Sequence, residues 1–166
     1  MLHQSQQRRD LQEHAAPESK PLIAPGTGKT HLAIALAITA AEAAFPVAFD
    51  SATGWITRLT DAHNHGLRER ELRRLNRYRL LVIDEVGYLP FDPAAASLFF
   101  QLIASRYESG SLVVTSNLAF SRWAETLGDD VIAAATIDRL IHHAHVIPLD
   151  GDSHRNSTRG SVFTQR

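Results

Sequence analysis

The stretch Ala-Pro-Gly-Thr-Gly-Lys-Thr at positions 24–30 constrains the fold of this chain more than any other feature. Its glycines let the backbone turn tightly, so that successive N–H groups can point inward at phosphate oxygens. An Ala/Ile/Leu-rich run begins at His31, and the N-terminus of the helix predicted there would face the same anion. Lys29 would contact the β- and γ-phosphates of a nucleotide, and the Thr30 hydroxyl would bind Mg²⁺.

The alternative interpretation is a glycine-rich turn with an adjacent lysine, but the order of loop, helix and later acidic strand favours a nucleotide site. The residues predicted to bind ATP are Pro25, Gly26, Thr27, Gly28, Lys29, Thr30 and His31.

The loop departs from the full phosphate-loop pattern at its start, where Ile23 occupies the position of the first glycine. The strand that should lead into the loop has only Leu22 and Ile23 as strongly apolar residues, and Pro21 precedes them. Proline cannot donate to a sheet ladder, and a β-branched residue is stiff where the chain must turn. We therefore expect weak nucleotide affinity, low stability and impaired ATP hydrolysis.

The length and composition indicate one cytoplasmic domain. The chain has 166 residues, a net charge of −1 and no cysteine, which excludes disulfides and thiolate metal sites. It contains neither an apolar run of ~18 residues nor a signal-peptide pattern. We expect a polar tail over residues 1–19, an ATPase core over residues 20–150 and a loose C-terminal segment over residues 151–166.

After the loop, apolar segments of strand and helix type alternate. Helices are predicted near residues 31–44, 54–63, 67–78, 93–107, 120–127 and 130–143, and strands near 47–49, 79–83, 112–115 and 146–149. Candidate helix caps are Asp50, Ser51 and Thr53 before the second helix and Asp92 before the fourth, and Pro93 suits a first helical position. This alternation predicts an α/β fold, a P-loop NTPase with a parallel sheet and helices on both faces.

Acidic and amide side chains follow two of the predicted strands. Asp84 and Glu85 end an apolar strand about 55 residues after the phosphate loop, the arrangement of a P-loop ATPase. Asp84 would hold Mg²⁺, and Glu85 would orient and polarise the attacking water. Asn117, just past the next strand, could hydrogen-bond the γ-phosphate or that water. Alone, each could equally be a polar turn residue.

The third predicted helix, near residues 67–78, is rich in arginine. It carries Arg68, Arg70, Arg73, Arg74 and Arg77, and two glutamates offset part of the charge. One interpretation is contact with DNA phosphates. The other is a solvated helix face with local ion pairs.

Five segments together resemble one family, the IstB-like transposition helper ATPases in the DnaC-like branch of the AAA+ ATPases. The segments are APGTGKTHLAIALA, RYRLLVIDEVGYLPFD, LFFQLIASRYE, VVTSNLAFSRW and AAATIDRLIHHAHVI. The resemblance implies that Lys29 and Thr30 belong to Walker A, Asp84 and Glu85 to Walker B, and Asn117 to sensor 1. It also implies that Arg139 is an arginine finger that reaches the nucleotide of a neighbouring subunit.

The resemblance further implies a protein that oligomerises on DNA with ATP and assists a transposase. A DnaC-like loader of a replicative helicase is the first alternative, and a nucleotide-binding remnant without turnover is the second. The family's N-terminal region is not matched by the polar tail, which predicts an N-terminally truncated chain. His154 replaces an aromatic residue of a family segment, so no sensor-2 role is assigned to Arg155.

Overall fold

A computed structural model describes residues 28–107, 109–142 and 144–149. In chain order its elements are α1 (Lys29–Glu42), β1 (Val47–Ser51), α2 (Ala52–Asn64), α3 (Arg68–Leu75), β2 (Leu80–Val86), α4 (Pro93–Arg106), β3 (Ser111–Ser116), a 3₁₀ turn (Phe120–Arg122), α5 (Trp123–Leu127) and α6 (Asp130–Ile141). The predicted strand at Leu22 and Ile23, the start of the phosphate loop, both tails and Arg155 lie outside the described residues.

The sheet has three described strands, all parallel, in the order β1-β2-β3. Val47 pairs with Leu80, and Leu80 pairs with Ser111, so the strands run in step from their first residues. β2 lies in the middle, and its apolar residues from Leu80 to Ile83 are buried on both faces. This continuous apolar run is typical of a central strand in a parallel sheet that helices cover on both sides.

Alternate residues of β2 face two separate groups of helices. Leu80 and Val82 pack with Ala33 of α1 on one face. Leu81 and Ile83 pack with residues of α2 and α4, including Trp55 and Phe99, in the larger core on the other face. The period-2 alternation of a strand produces this division. The predicted α/β architecture with helices on both faces is therefore confirmed.

Short polar side chains start three of the helices. Ser51 Oγ accepts a hydrogen bond from the Gly54 N–H at 3.0 Å, and Asp92 Oδ1 accepts one from Ala95 at 2.7 Å. Asp129 caps α6 in the same way. Each carboxylate or hydroxyl satisfies one backbone donor that the first helical turn would otherwise leave unpaired. The predicted caps at Ser51 and Asp92 are thus confirmed.

A buried arginine joins the beginnings of β2 and β3. Arg106, at the end of α4, is 1% exposed. Its Nη1 donates to the Tyr78 carbonyl at 2.8 Å and to the Leu75 carbonyl at 3.3 Å, while its Nη2 donates to the Ser111 carbonyl at 3.0 Å. Burial lowers the pKa of Arg106. The guanidinium thus ties the end of α3 and the beginnings of β2 and β3 to the end of α4 through backbone carbonyls.

Three sequence-based expectations are wrong. β2 does not end before Asp84 but continues to Val86, with a register shift against β3. Residues 146–149, predicted as a strand, contain no strand in the structure. An extended segment becomes a strand only by hydrogen bonding to a neighbour, and β3 pairs only with β2 among the described strands.

The third correction concerns α1, whose sequence is apolar nearly all round and therefore predicts a helix covered by the sheet and by neighbouring segments. Only Ala33 of this helix is buried. Four large apolar side chains of α1 are exposed: Leu32, Ile34, Leu36 and Ile38. Within the described part of the chain, the sheet covers the small-residue face of α1 and leaves the opposite face open. None of the described helices meets the length and hydrophobicity required to cross a membrane.

Candidate nucleotide site

The N-terminus of α1 supplies the positive part of the candidate site. Gly28 precedes the helix with φ 86° and ψ 6°, a left-handed conformation that favours glycine. The first hydrogen bond of the helix runs from the Leu32 N–H to the Gly28 carbonyl at 2.9 Å. The N–H groups of the first turn therefore point out of the helix end, where anions are favoured. Pro25, Gly26 and Thr27 lie outside the described residues.

Lys29 and His31 differ in their surroundings at this helix end. Lys29 is half-buried, and desolvation lowers the pKa of its ammonium group. A partly desolvated ammonium interacts more strongly with an anion than a fully hydrated one. His31 is exposed. The structure thus places Lys29 and Thr30 in the first turn, as predicted for a phosphate loop, with the His31 side chain toward solvent.

Thr30 and Asp84 meet between α1 and β2. The Thr30 hydroxyl donates to Asp84 Oδ1 at 3.2 Å, and the Asp84 residue is only 6% exposed. A hydroxyl and a carboxylate are the oxygen donors that Mg²⁺ takes from a protein beside nucleotide phosphates. The donor set therefore fits Mg²⁺, and the predicted ligand pair is brought together.

Glu85 is aimed away from the core by an irregularity in β2. Its φ of 61° is unusual for a residue other than glycine, and such a conformation costs about 1–3 kcal/mol. The pairing of β2 with β3 shifts register between Ile83 and Val86, around the acidic pair. Consequently Asp84 stays buried whereas Glu85 is exposed. The structure gives the two adjacent acids different environments, as their different predicted roles require.

Thr115, near the end of β3, contacts both acids and was not singled out from the sequence. Its hydroxyl donates a short hydrogen bond to Asp84 Oδ1 and accepts one from the Glu85 N–H at 3.0 Å. The sequence offered one signal for this contact. Thr115 ends a predicted strand that is expected to lie beside the strand followed by Asp84 and Glu85.

Asn117 lies in the turn directly after β3, at the same edge of the sheet. Ser116 shapes this turn: its Oγ is 2.9 Å from the Val86 carbonyl and accepts the Leu118 N–H at 3.0 Å. Gly87, with φ 92°, lets the loop after β2 approach closely, since an added Cβ would lie 2.7 Å from Leu118. The loops after β2 and β3 are thereby packed together next to the acids.

Within the described part of the chain, the contacts of Arg139 are with α4 and α6 rather than with the candidate nucleotide-site residues. Its guanidinium lies over the Phe100 ring of α4, 4.7 Å from the centroid, and donates to the Ala135 carbonyl at 3.0 Å. The first contact packs α6 on α4, and the second lies within α6. The predicted role in a neighbouring subunit's site remains a prediction.

The arginines of α3 and of the turn that follows it divide into side chains with and without an acidic partner. Arg74 forms a two-pronged ion pair with Glu71, with N–O distances of 2.8 and 2.6 Å, and Arg68 and Arg73 lie within 4.0 Å of Glu69. Arg70 and Arg77 are exposed and have no acidic partner among the described residues. The interpretation as a face with local ion pairs is therefore correct for three of the five.

Solved structures with the same fold include AMPPCP-bound DnaA from Aquifex aeolicus, with a TM-score of 0.60 and 20% identity over 69% of this chain and 36% of that one. The DnaC helicase loader matches with a TM-score of 0.56 and 18% identity over 84% of this chain and 88% of that one. These likenesses show that the chain shares the fold of these two proteins.

Among curated proteins, the chain is 45% identical to the ATP-binding protein of insertion sequence IS21 from Pseudomonas aeruginosa, over 79% of this chain and 49% of that protein. It is 42% identical to the corresponding protein of insertion sequence IS5376 from Geobacillus stearothermophilus, over 79% and 52%. The chain thus spans about half the length of these relatives. Because residues 21–161 match the model of the IstB-like ATP binding proteins, the chain belongs to that family.

Proposed function

We propose that this chain binds and hydrolyses ATP at the carboxyl edge of its sheet and acts on DNA as a helper of a transposase. The observation that carries the proposal is the hydrogen bond between Thr30 and Asp84, which joins the phosphate-binding helix to the acidic strand. Membership of a family described as ATP binding, with relatives from insertion sequences, supports ATP and transposition.

The residues divide the chemistry of hydrolysis among them. The N-terminus of α1 and the Lys29 ammonium would bind the phosphates, and Thr30 and Asp84 would hold Mg²⁺. When bound, this ion neutralises charge on the phosphate oxygens. The exposed Glu85 carboxylate would accept a hydrogen bond from a water and align it with the γ-phosphorus. The water oxygen then bonds to phosphorus as the bond to the ADP oxygen breaks, and the proton that the water loses passes to the Glu85 carboxylate and leaves with the phosphate.

Two further residues would complete the site. Asn117, in the turn after β3, is placed at the edge where its amide could hydrogen-bond the γ-phosphate or the attacking water. Arg139 would act in the site of a neighbouring copy, since its recorded contacts within the chain are with α4 and α6. Self-association in the presence of ATP follows from this role.

DNA contact is proposed for α3. Arg70 on α3 and Arg77 in the turn after it are exposed without acidic partners among the described residues. We call these two residues together with Arg73, which is also exposed but lies 3.6 Å from Glu69, the basic stripe. Such a stripe can bind the phosphate backbone without reading sequence. Arg74 is assigned instead to holding α3 together through Glu71.

The decisive experiment is Mg-ATP hydrolysis by the purified 166-residue chain, with and without duplex DNA, beside Lys29→Ala as the matched inactive control. We expect turnover that DNA stimulates and that the variant lacks. Binding without turnover would favour the nucleotide-binding remnant. Stimulation by a replicative helicase but not by a transposase would favour the helicase loader, which is supported only by likeness of fold.

A further inference from the structure

The hydroxyl of Thr115 has both of its hydrogen-bonding functions committed to the acidic pair. Thr115 lies near the end of β3, is 9% exposed and reaches across to β2. It donates a hydrogen bond to Asp84 Oδ1, which also accepts a hydrogen bond from the Thr30 hydroxyl. Its lone pair accepts the backbone N–H of Glu85. One side chain therefore joins the carboxylate of the first acid to the backbone of the second.

The two hydrogen bonds of Thr115 lie where the ladder between β2 and β3 is irregular. Around Glu85 the ladder between β2 and β3 shifts register, Glu85 has a positive φ, and its N–H donates to a side chain of β3. A buried N–H without a partner is costly, and an unusual backbone conformation persists only when its surroundings impose it. The Thr115 hydroxyl supplies the partner that the irregular strand lacks.

We propose that Thr115 is a positioning residue that fixes Asp84 and Glu85 relative to each other, and so aligns the metal-binding acid with the water-orienting acid. This inference rests on the proposed function, although the bridge itself does not. Valine at this position would keep the β-branched shape and lose both hydrogen bonds. Serine would lose one methyl group and keep both bonds, so the pair of substitutions separates hydrogen bonding from packing.

The first measurement is independent of activity. Hydrogen exchange of the Glu85 amide should accelerate about three- to tenfold in Thr115→Val, the factor expected for loss of one hydrogen bond. It should be unchanged in Thr115→Ser. Thr136→Val is the matched control, because Thr136 is also buried but its hydroxyl bonds only Ile132 of its own helix. Unchanged exchange in Thr115→Val would overturn the proposal.

The second measurement is hydrolysis as a function of Mg²⁺. In Thr115→Val we expect kcat to fall about 10- to 100-fold and half-saturating Mg²⁺ to rise, as when residues that orient metal ligands are lost, with KM for ATP near that of the wild type. Thr115→Ser should restore most of kcat. Equal impairment of both variants, or wild-type Mg²⁺ dependence in Thr115→Val, would overturn the role in catalysis.

The two measurements distinguish failure of this inference from failure of the proposed function. A wild-type chain without turnover would overturn the proposed function and, with it, the alignment of the acids for catalysis. An active wild type with an unimpaired Thr115→Val variant would overturn only the inference about Thr115.

Discussion

The Thr30 hydroxyl donates a 3.2 Å hydrogen bond to the Asp84 carboxylate, although 54 positions separate the two residues in the chain. The contact joins the first turn of α1 to the carboxyl end of β2. Parallel strands expose their carboxyl ends at one edge of the sheet, where helix N-termini also lie, so phosphate-binding and metal-binding groups converge there. The adjacent Glu85 is exposed at the same edge.

Glu85→Gln should preserve ATP binding and lower kcat about 10²- to 10⁴-fold, because the amide cannot take a proton from water. The side chain is exposed, so the substitution should change the free energy of unfolding by less than about 0.5 kcal/mol. Glu42→Gln, an exposed glutamate at the end of α1, is the matched control. Nucleotide binding and single-turnover hydrolysis give the two readouts. Full turnover in Glu85→Gln would exclude the assigned role.

Substitution of Arg70 and Arg77 should weaken DNA binding without destabilising the fold. Each lost phosphate contact should reduce the slope of log affinity against log salt by about 0.9. We therefore expect the double Gln variant to have a slope smaller by up to about 1.8. Arg74→Gln is the control, since this arginine is engaged with Glu71. An identical slope in the wild type and the double variant would show that the stripe is merely solvated.

The Glu71–Arg74 pair predicts a pH dependence of stability. The hydrogen bond from Arg74 lowers the pKa of the Glu71 carboxyl. A carboxyl whose folded-state pKa is depressed stabilises the fold above its unfolded pKa and loses that contribution as the pH falls through the folded value. Arg74 is 42% exposed, which limits the contribution to roughly 1 kcal/mol.

Arg74→Gln should therefore lower Tm at pH 7 and have little effect at an acid pH below the lowered folded-state pKa of Glu71, where the carboxyl is protonated. Thermal unfolding of this variant, of Glu71→Gln and of the double variant measures the coupling. A Tm difference that is the same at both pH values would contradict an electrostatic origin.

Arg106 should be among the most sensitive positions for folding. Arg106→Met would remove the hydrogen bonds from a buried charged group to three carbonyls and should cost about 3 kcal/mol or more in urea unfolding. Gly110→Ala should also destabilise the chain, because a Cβ there would lie 2.2 Å from the Arg106 Nη2. The double variant should lose less than the sum, since the clash requires the guanidinium. Strict additivity would exclude this steric coupling.

The sequence was sufficient to predict most elements, because their boundaries depend on local chemistry. Asp92 with Pro93 marks the start of α4 and Ser51 the start of α2, and both side chains accept the hydrogen bonds expected of caps. The apolar run of β2 likewise indicated a buried strand. Each of these features involves residues within a few positions of each other, so periodicity and capping rules apply directly.

The errors arise where structure depends on partners distant in sequence. The left-handed conformation of Glu85 and the bridge from Thr115 require β2 and β3 to be side by side, and 30 positions separate these residues. The exposure of Ile38 on α1 likewise depends on which segments cover a helix rather than on its own apolar character. Periodicity identifies an apolar surface but not the element that covers it.

Arg139 provides the last prediction, a test of subunit complementation. A guanidinium supplied in trans stabilises charge on the transferring phosphoryl group and is worth about 10³–10⁵ in rate in well-studied NTPases. Lys29→Ala should lose the lysine contact with the phosphates and keep the Arg139 guanidinium. Arg139→Lys should lose that guanidinium and keep the Lys29 contact. Lysine is preferred to alanine because it keeps a cation over Phe100, the contact that packs α6 on α4. Each variant alone should be nearly inactive.

In mixed oligomers, an intact Lys29 site in one copy can face an intact Arg139 in the next. Activity should therefore recover on mixing and pass through a maximum near equal proportions, because mixed interfaces are then most numerous. Size-exclusion chromatography with ATP establishes that the variants assemble together. If co-assembled variants recover no activity at any ratio, Arg139 does not act across a subunit interface. If Arg139→Lys alone retains full kcat, the planar guanidinium is not needed for phosphoryl transfer.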